Sequence, residues 1–419
     1  MLNRLIRINI RAIQHAGARM AVIVSSLAEG KRTVTAAGAR NAAFDRMRTF
    51  IILLVLIHHS VIPYTYYGQT DRQWFLFFDA VVTFNDSFFM AAMFLLSGLF
   101  TWPSLQRKGV ATFLRGRWLR LGLPFAFGAV CLMPLAYYAV ELRHSGSGAG
   151  FIAFWWKTVT VGPWESGPIW FLGVLLAFDM LAAVVYLVAP GSVEAIGHVA
   201  TAKLENPAYA FCMFLAASLV VYMPLDHHFG IAQWFTLGPL AVQSDRILLY
   251  LLYFFVGVGI GAVHADSSLL SPGGELARRW PLWLAATIVT YAGLIGLIYY
   301  KREFLPDPNN PPQGWDNVHA FFFASFSAAQ TINLLALFLK FENSGSSILD
   351  RLRESSFGIF LIHYVPVLWL QYALFGITLA PNSQATAILK ALIVFVLALA
   401  SSWLATLALR RIPGIKHVL

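Results

Sequence analysis

The chain has 419 residues, of which 58% are hydrophobic, 15% aromatic and 12% charged, with mean hydropathy +0.66 and a formal net charge of +10. Water-soluble domains carry roughly 25% charged residues, so this composition excludes a soluble enzyme, a disordered tail, a coiled coil and a disulfide-stapled secreted scaffold. An all-α polytopic membrane protein remains.

Residues 1–44 hold one acid, Glu29, among several Arg and Lys, and read as a cytoplasmic basic segment that lies on lipid rather than as a transit peptide. Uncharged windows bounded by charge, Pro and Gly then predict about ten transmembrane helices, at 47–67, 84–104, 119–141, 166–189, 205–225, 247–265, 281–300, 318–340, 355–378 and 385–409. Together they make a bundle over 45–410, followed by a short cytoplasmic tail, 411–419. Most of the 30 Lys and Arg residues fall on the side of the N-terminus, which puts both termini in the cytoplasm. The positive charge is thus a topology signal, and no nucleic-acid partner is expected. Cys131 and Cys212 sit inside apolar runs as packed thiols. No P-loop, Rossmann glycine pattern, CxxC or HExxH is present, so neither a metal nor a bound cofactor is expected.

Ionisable groups at membrane depth cost about 2.5–3.5 kcal/mol each on insertion scales, so each asks for a purpose. The first span carries Asp45, Arg48, His58 and His59. Eleven residues make about three helical turns, so Arg48 and His59 share a face about 16 Å apart, with Asp45 within about 40° of that line and His58 about 100° away. His59 fits two roles, a general base at depth or an interhelical hydrogen-bonding group. Arg117 and Arg120 lie one helical turn apart below the third span, placed to clamp a phosphate or to contact lipid headgroups. Asp86 opens the second span as a helix cap or as the wall of an outer cavity, capping being the plainer role. Asp179 lies inside the fourth span without an evident partner. His319 and His363 read as packing groups. Trp155, Trp156, Trp164 and Trp170 crowd one outer connection, where indoles favour the interface and can also stack on sugars.

The arrangement Asp45-x-x-Arg48-x10-His59 resembles the first-span motif of the acyltransferase-3 family of integral membrane acyltransferases. Phe94 to Phe100 (FLLSGLF), Arg117-x-x-Arg120-Leu121, Gly167 to Leu172 (GPIWFL) and Ser355 to His363 (SSFGIFLIH) are similar to four further motifs of that family, in order and on the expected spans. Within it, the Arg120 to Pro124 run, His58-His59 and Ile62-Pro63-Tyr64 look most like the branch containing the periplasmic-glucan succinyltransferase. The stretch His363-Tyr364-Val365-Pro366 departs from the His-x-Pro of many relatives, which leaves a role for His363 open. The resemblance implies a multi-pass protein of the bacterial cytoplasmic membrane that moves an acyl group, acetyl or succinyl, from a cytoplasmic acyl-CoA to a hydroxyl of an envelope carbohydrate. His59 would be the catalytic base, and Arg48, Arg117 and Arg120 would hold the donor phosphates. Asp45, His58, Asp86, Trp170 and His363 would support them. The competing expectation is a proton-coupled secondary transporter or flippase of a polar solute, with His59, Asp179 and His363 as a relay; its inverted repeats and paired broken helices are not visible in the sequence.

Overall fold

The structure, a computed structural model, describes residues 42–146, 150–201, 207–263, 270–308, 310–342 and 347–415. The N-terminal arm up to residue 41 and the tail from 416 lie outside the described residues. The described chain opens with α1 (Ala42–Tyr64), α2 (Phe77–Lys108) and α3 (Val110–Ser145). A shorter helix, α4 (Phe151–Thr160), leads to α5 (Gly167–Val188), α6 (Pro190–Thr201) and α7 (Ala208–Phe229). An antiparallel hairpin of β1 (Trp234–Leu237) and β2 (Leu240–Gln243), with Trp234 opposite Gln243, turns the chain into α8 (Ile247–Ala262). After α9 (Glu275–Arg278) come α10 (Trp280–Phe304) and α11 (Trp315–Lys340). The remainder is α12 (Ser347–Arg353), α13 (Ser356–Ile362), α14 (Tyr364–Ala373) and α15 (Ser383–Leu409).

Among the described residues, eight helices are long and apolar enough to cross a membrane, namely α1, α2, α3, α5, α7, α10, α11 and α15. The pair α13 and α14, bent by 47°, raises this to nine if it is one span. Ten full spans were expected. All ten positions are helical, but the sixth is the 16-residue α8, about 24 Å long and shorter than a ~30 Å hydrocarbon slab. The ninth is the broken pair. Its break has a local cause: Pro366 offers no N–H to the carbonyl of Ile362 four residues earlier, so the helix turns at His363.

The helices sort into an inside and an outside. In α11, 78% of the apolar stretch is buried within the protein, and in α2 72%, whereas α7 buries 11% and α10 17%. The short α8 is wedged deep by its glycines. A Cβ on Gly257 or Gly261 would collide with the Leu95 and Leu99 carbonyls of α2, and one on Gly98 of α2 with the Phe254 carbonyl of α8. Gly259, on the other side of α8, meets Gly197 of α6. Small residues spaced by four let two backbones approach where lipid supplies no hydrophobic drive.

The helix α3 contains two π-helical turns, Trp118–Gly122 and Gly128–Leu132, each placed just before a proline, Pro124 and Pro134. Wider turns relieve the clash of a proline ring with the preceding turn. The Val130 carbonyl, four residues before Pro134, accepts instead from Trp155 Nε1 at 2.8 Å.

Candidate active site

A cavity of about 410 Å³ opens at the C-terminal end of α1, walled by α1, α2, the strip Trp164 to Trp170, the hairpin and the α13–α14 bend. His59 lines it. The helix begins at Ala42 rather than at 47, because Arg46 forks onto Asp350 through Nε and Nη2, both at 2.8 Å, and anchors an extra turn. His59 consequently lies in the C-terminal part of α1.

Three groups from the bent pair hold His59. His363 Nδ1 is 2.7 Å from the Phe360 carbonyl, and since a carbonyl can only accept, that nitrogen carries the proton. The other ring nitrogen of neutral His363, Nε2, must then accept, and it lies 3.2 Å from His59 Nδ1. His59 thus donates from Nδ1, which leaves its Nε2 as the basic atom. The His59 backbone is held as well. Its carbonyl would bond the N–H four residues on, but Pro63 stands there, and Gln371 Nε2 donates to it instead at 2.8 Å. The Tyr364 ring packs edge-on against the His59 ring, centroids 5.0 Å apart. The bend at Pro366, which left the role of His363 open in the sequence, brings this residue to His59.

The cavity walls are aromatic and polar. Trp164, Trp170 and Trp234 line it, whereas Trp155 bonds α3 and Trp156 is exposed, so the tryptophans of this connection divide into two groups. Trp170 stacks on Tyr250 at 5.8 Å and meets Trp234 edge-on at 5.8 Å. It follows Gly167, whose φ of +45° and closeness to the Tyr364 ring admit no other residue without strain. Tyr137 and Tyr364 share a hydroxyl–hydroxyl bond of 3.4 Å at the wall. His58 is buried beside Phe89 with no partner for Nδ1 among the described residues. Asp86 also lines the cavity, but it caps nothing: it ends the first segment of α2 with no side-chain cap bond and takes Arg246 Nη1 at 2.7 Å. Glu165 is a further wall residue, and desolvation pushes its carboxyl above the usual range.

At the other end of α1, Arg48 pairs with Asp45 at 3.2 Å, donates to the Leu96 carbonyl at 3.3 Å and lies 4.7 Å over the Phe100 ring. With Asp45, Arg353 and Glu354 it lines a second cavity of about 460 Å³. Arg117 points inward, its Nε 3.1 Å from the fully buried Asp179 and its Nη2 donating to Thr101 at 3.3 Å. This supplies the partner that Asp179 lacked in the sequence. Arg120, in the π turn, is exposed and does not join Arg117. A straight α-helix would align residues three apart, whereas the wider turn rotates them away from each other.

Glu165, Tyr137, Tyr364, Trp234, Gln243, Arg246 and Arg353 were not singled out from the sequence. One signal was available: Asp245-Arg246 abuts an uncharged run, a position where an arginine asks for a partner. Among the described residues, no group of three or more His, Cys, Asp and Glu side chains is arranged to hold a metal.

Residues 41–407 match the family model described as an acyltransferase domain. An uncharacterized amino-acid permease of Schizosaccharomyces pombe is 35% identical over 86 residues, 20% of this chain, and the chain spans 15% of the length of that relative. No solved structure matches the chain.

Proposed function

Since the chain belongs to the acyltransferase-domain family, we propose that it is a membrane O-acyltransferase moving an acetyl or succinyl group from a cytoplasmic acyl-CoA to a hydroxyl of an envelope carbohydrate. The observation that carries this reading is the His59–His363 contact beside the cavity, which leaves His59 Nε2 basic. In the reaction, Nε2 takes the acceptor hydroxyl proton as that oxygen attacks the thioester carbonyl. The tetrahedral intermediate collapses with cleavage of the C–S bond, and the proton on His59 goes to the departing thiolate, giving ester and free CoA. General-base help of this kind contributes about 10²- to 10⁴-fold.

The developing oxyanion needs donors. When one phenol of the Tyr137–Tyr364 pair donates to the other, one hydroxyl proton of the pair is left over to serve it. The tryptophan rings of the cavity suit the apolar faces of sugar units. Arg48 and Arg353 at the opposite cavity suit the anionic end of the donor. The reading places the termini on the cytoplasmic side of a bacterial inner membrane, where the donor cavity faces the CoA pool.

The decisive experiment replaces His59 by Ala in purified protein supplied with acyl-CoA and acceptor. Turnover is expected to vanish, and turnover that persists overturns the assignment.

The permease match favours a second reading, a proton-coupled transporter or flippase. Its relay needs Asp179 beside the histidines, but Asp179 is committed to Arg117. Counterflow of a polar solute in proteoliposomes without acyl donor would establish it.

A further inference from the structure

We infer that Glu165 makes the His59 cavity selective by charge, admitting an uncharged acyl group and an uncharged sugar unit and turning anionic ones away. The inference rests on the acyltransferase reading and narrows its substrates.

The charge inventory of the walls carries it. Two cavity-lining side chains are acids, Asp86 and Glu165, and among the described residues no Lys or Arg lines the cavity. Asp86 is neutralised by Arg246, which is itself 3% exposed and lies behind the wall. No cation pairs with Glu165 among the described residues. The next residue is anchored to the hairpin turn, where Ser166 Oγ donates to the Pro239 carbonyl at 2.7 Å. Glu165, an exposed residue between Trp164 and Ser166, thus lines the cavity beside an anchored position.

Such a carboxylate accepts hydrogen bonds from the hydroxyls of a neutral sugar while the indole faces cover its C–H surface. A uronate, a phosphorylated sugar or the free carboxylate of a succinyl group would meet Glu165 with no cation to compensate, and like charges brought together across an interface oppose binding. Of the two acyl groups considered, acetyl meets this condition and succinyl does not. The anionic part of the donor has two arginines at the other end of α1, Arg48 and Arg353, beside the acids Asp45 and Glu354.

The test uses full-length protein in lipid nanodiscs at about pH 8, far above the ordinary carboxylate range. Quenching of tryptophan fluorescence reports binding, without any acyl donor, of a neutral glucose trisaccharide and of the corresponding tri-uronate. Wild-type protein is expected to bind the neutral sugar at least about tenfold more tightly. Glu165→Gln should erase this preference and Glu165→Lys invert it. A wild-type protein without preference, or a preference that survives both substitutions, overturns the role of Glu165 and leaves the acyltransferase reading standing. Binding of neither sugar overturns the proposal together with the carbohydrate acceptor. In a second arm, wild-type kcat/KM should favour acetyl-CoA over succinyl-CoA, and Glu165→Lys should improve succinyl-CoA alone. Equal response of the two donors counts against the inference. Absence of turnover with both counts against the enzyme reading, while the binding arm still decides on Glu165.

Discussion

An imidazole is a defined base when one of its nitrogens is committed elsewhere. For His59 that commitment runs through His363 to the Phe360 carbonyl, a neutral counterpart of the carboxylate that orients a catalytic histidine in hydrolase triads. His363→Ala removes the acceptor for His59 Nδ1 and is expected to lower kcat about 10- to 100-fold, as loss of an orienting partner does in other sites, with KM for acyl-CoA unchanged. His363→Gln keeps an acceptor oxygen and should restore part of the rate. A loss of kcat that Gln does not rescue would mean that His363 acts by packing alone. Gln371 has a parallel role for the backbone, since Pro63 leaves the His59 carbonyl without an intrahelical donor.

The elements of the site are shaped by prolines and glycines. The 47° bend between α13 and α14 aims His363 across the bundle, and Pro366 produces it. Pro366→Ala restores an N–H for the Ile362 carbonyl, so the protein should melt no lower than wild type, while the straighter helix carries His363 away from His59. The expected result is a kcat reduced about tenfold or more with the melting temperature preserved; full activity in a stable variant would detach the bend from catalysis. On α8, the glycines take the place of the side chains that would otherwise hold a helix apart from its neighbours. This is why an element of 16 residues can lie deep in the bundle between α2 and α6. The hydrophobic character of that stretch was readable locally, but its seat between α2 and α6 was not, because that depends on which backbones its glycines meet.

For the whole molecule, the separation of an arginine-lined cavity from a tryptophan-lined one at the two ends of α1 is the central feature. Arg48 and Arg353 stand at one cavity together with Asp45 and Glu354, and among the described residues no Lys or Arg lines the other. The double change Arg48→Ala with Arg353→Ala is expected to raise KM for acyl-CoA about tenfold or more, the scale of one lost charge-assisted hydrogen bond, and to leave KM for the acceptor alone. Trp234→Ala should do the reverse. If either change raises both constants equally, the two ends do not serve separate substrates. Arg117 is expected to contribute less to donor binding than its position in the sequence implies, because Asp179 already engages its guanidinium.

Membrane insertion and the helical positions were decided by the sequence, because run length and helical period are local properties that the bilayer and the backbone enforce residue by residue. The partners were decided by the tertiary structure. His363 reaches His59 across 304 positions and Arg246 reaches Asp86 across 160, and no local pattern specifies which buried charge meets which. The same holds for Asp179, which finds Arg117 only after α3 and α5 pack. The cavity, its tryptophans and Glu165 are likewise a product of packing, since they come from helices and loops that the chain visits far apart. In hydrocarbon an unpaired polar group is costly wherever it lies, so the need for a partner can be read from one position, but its identity requires the fold.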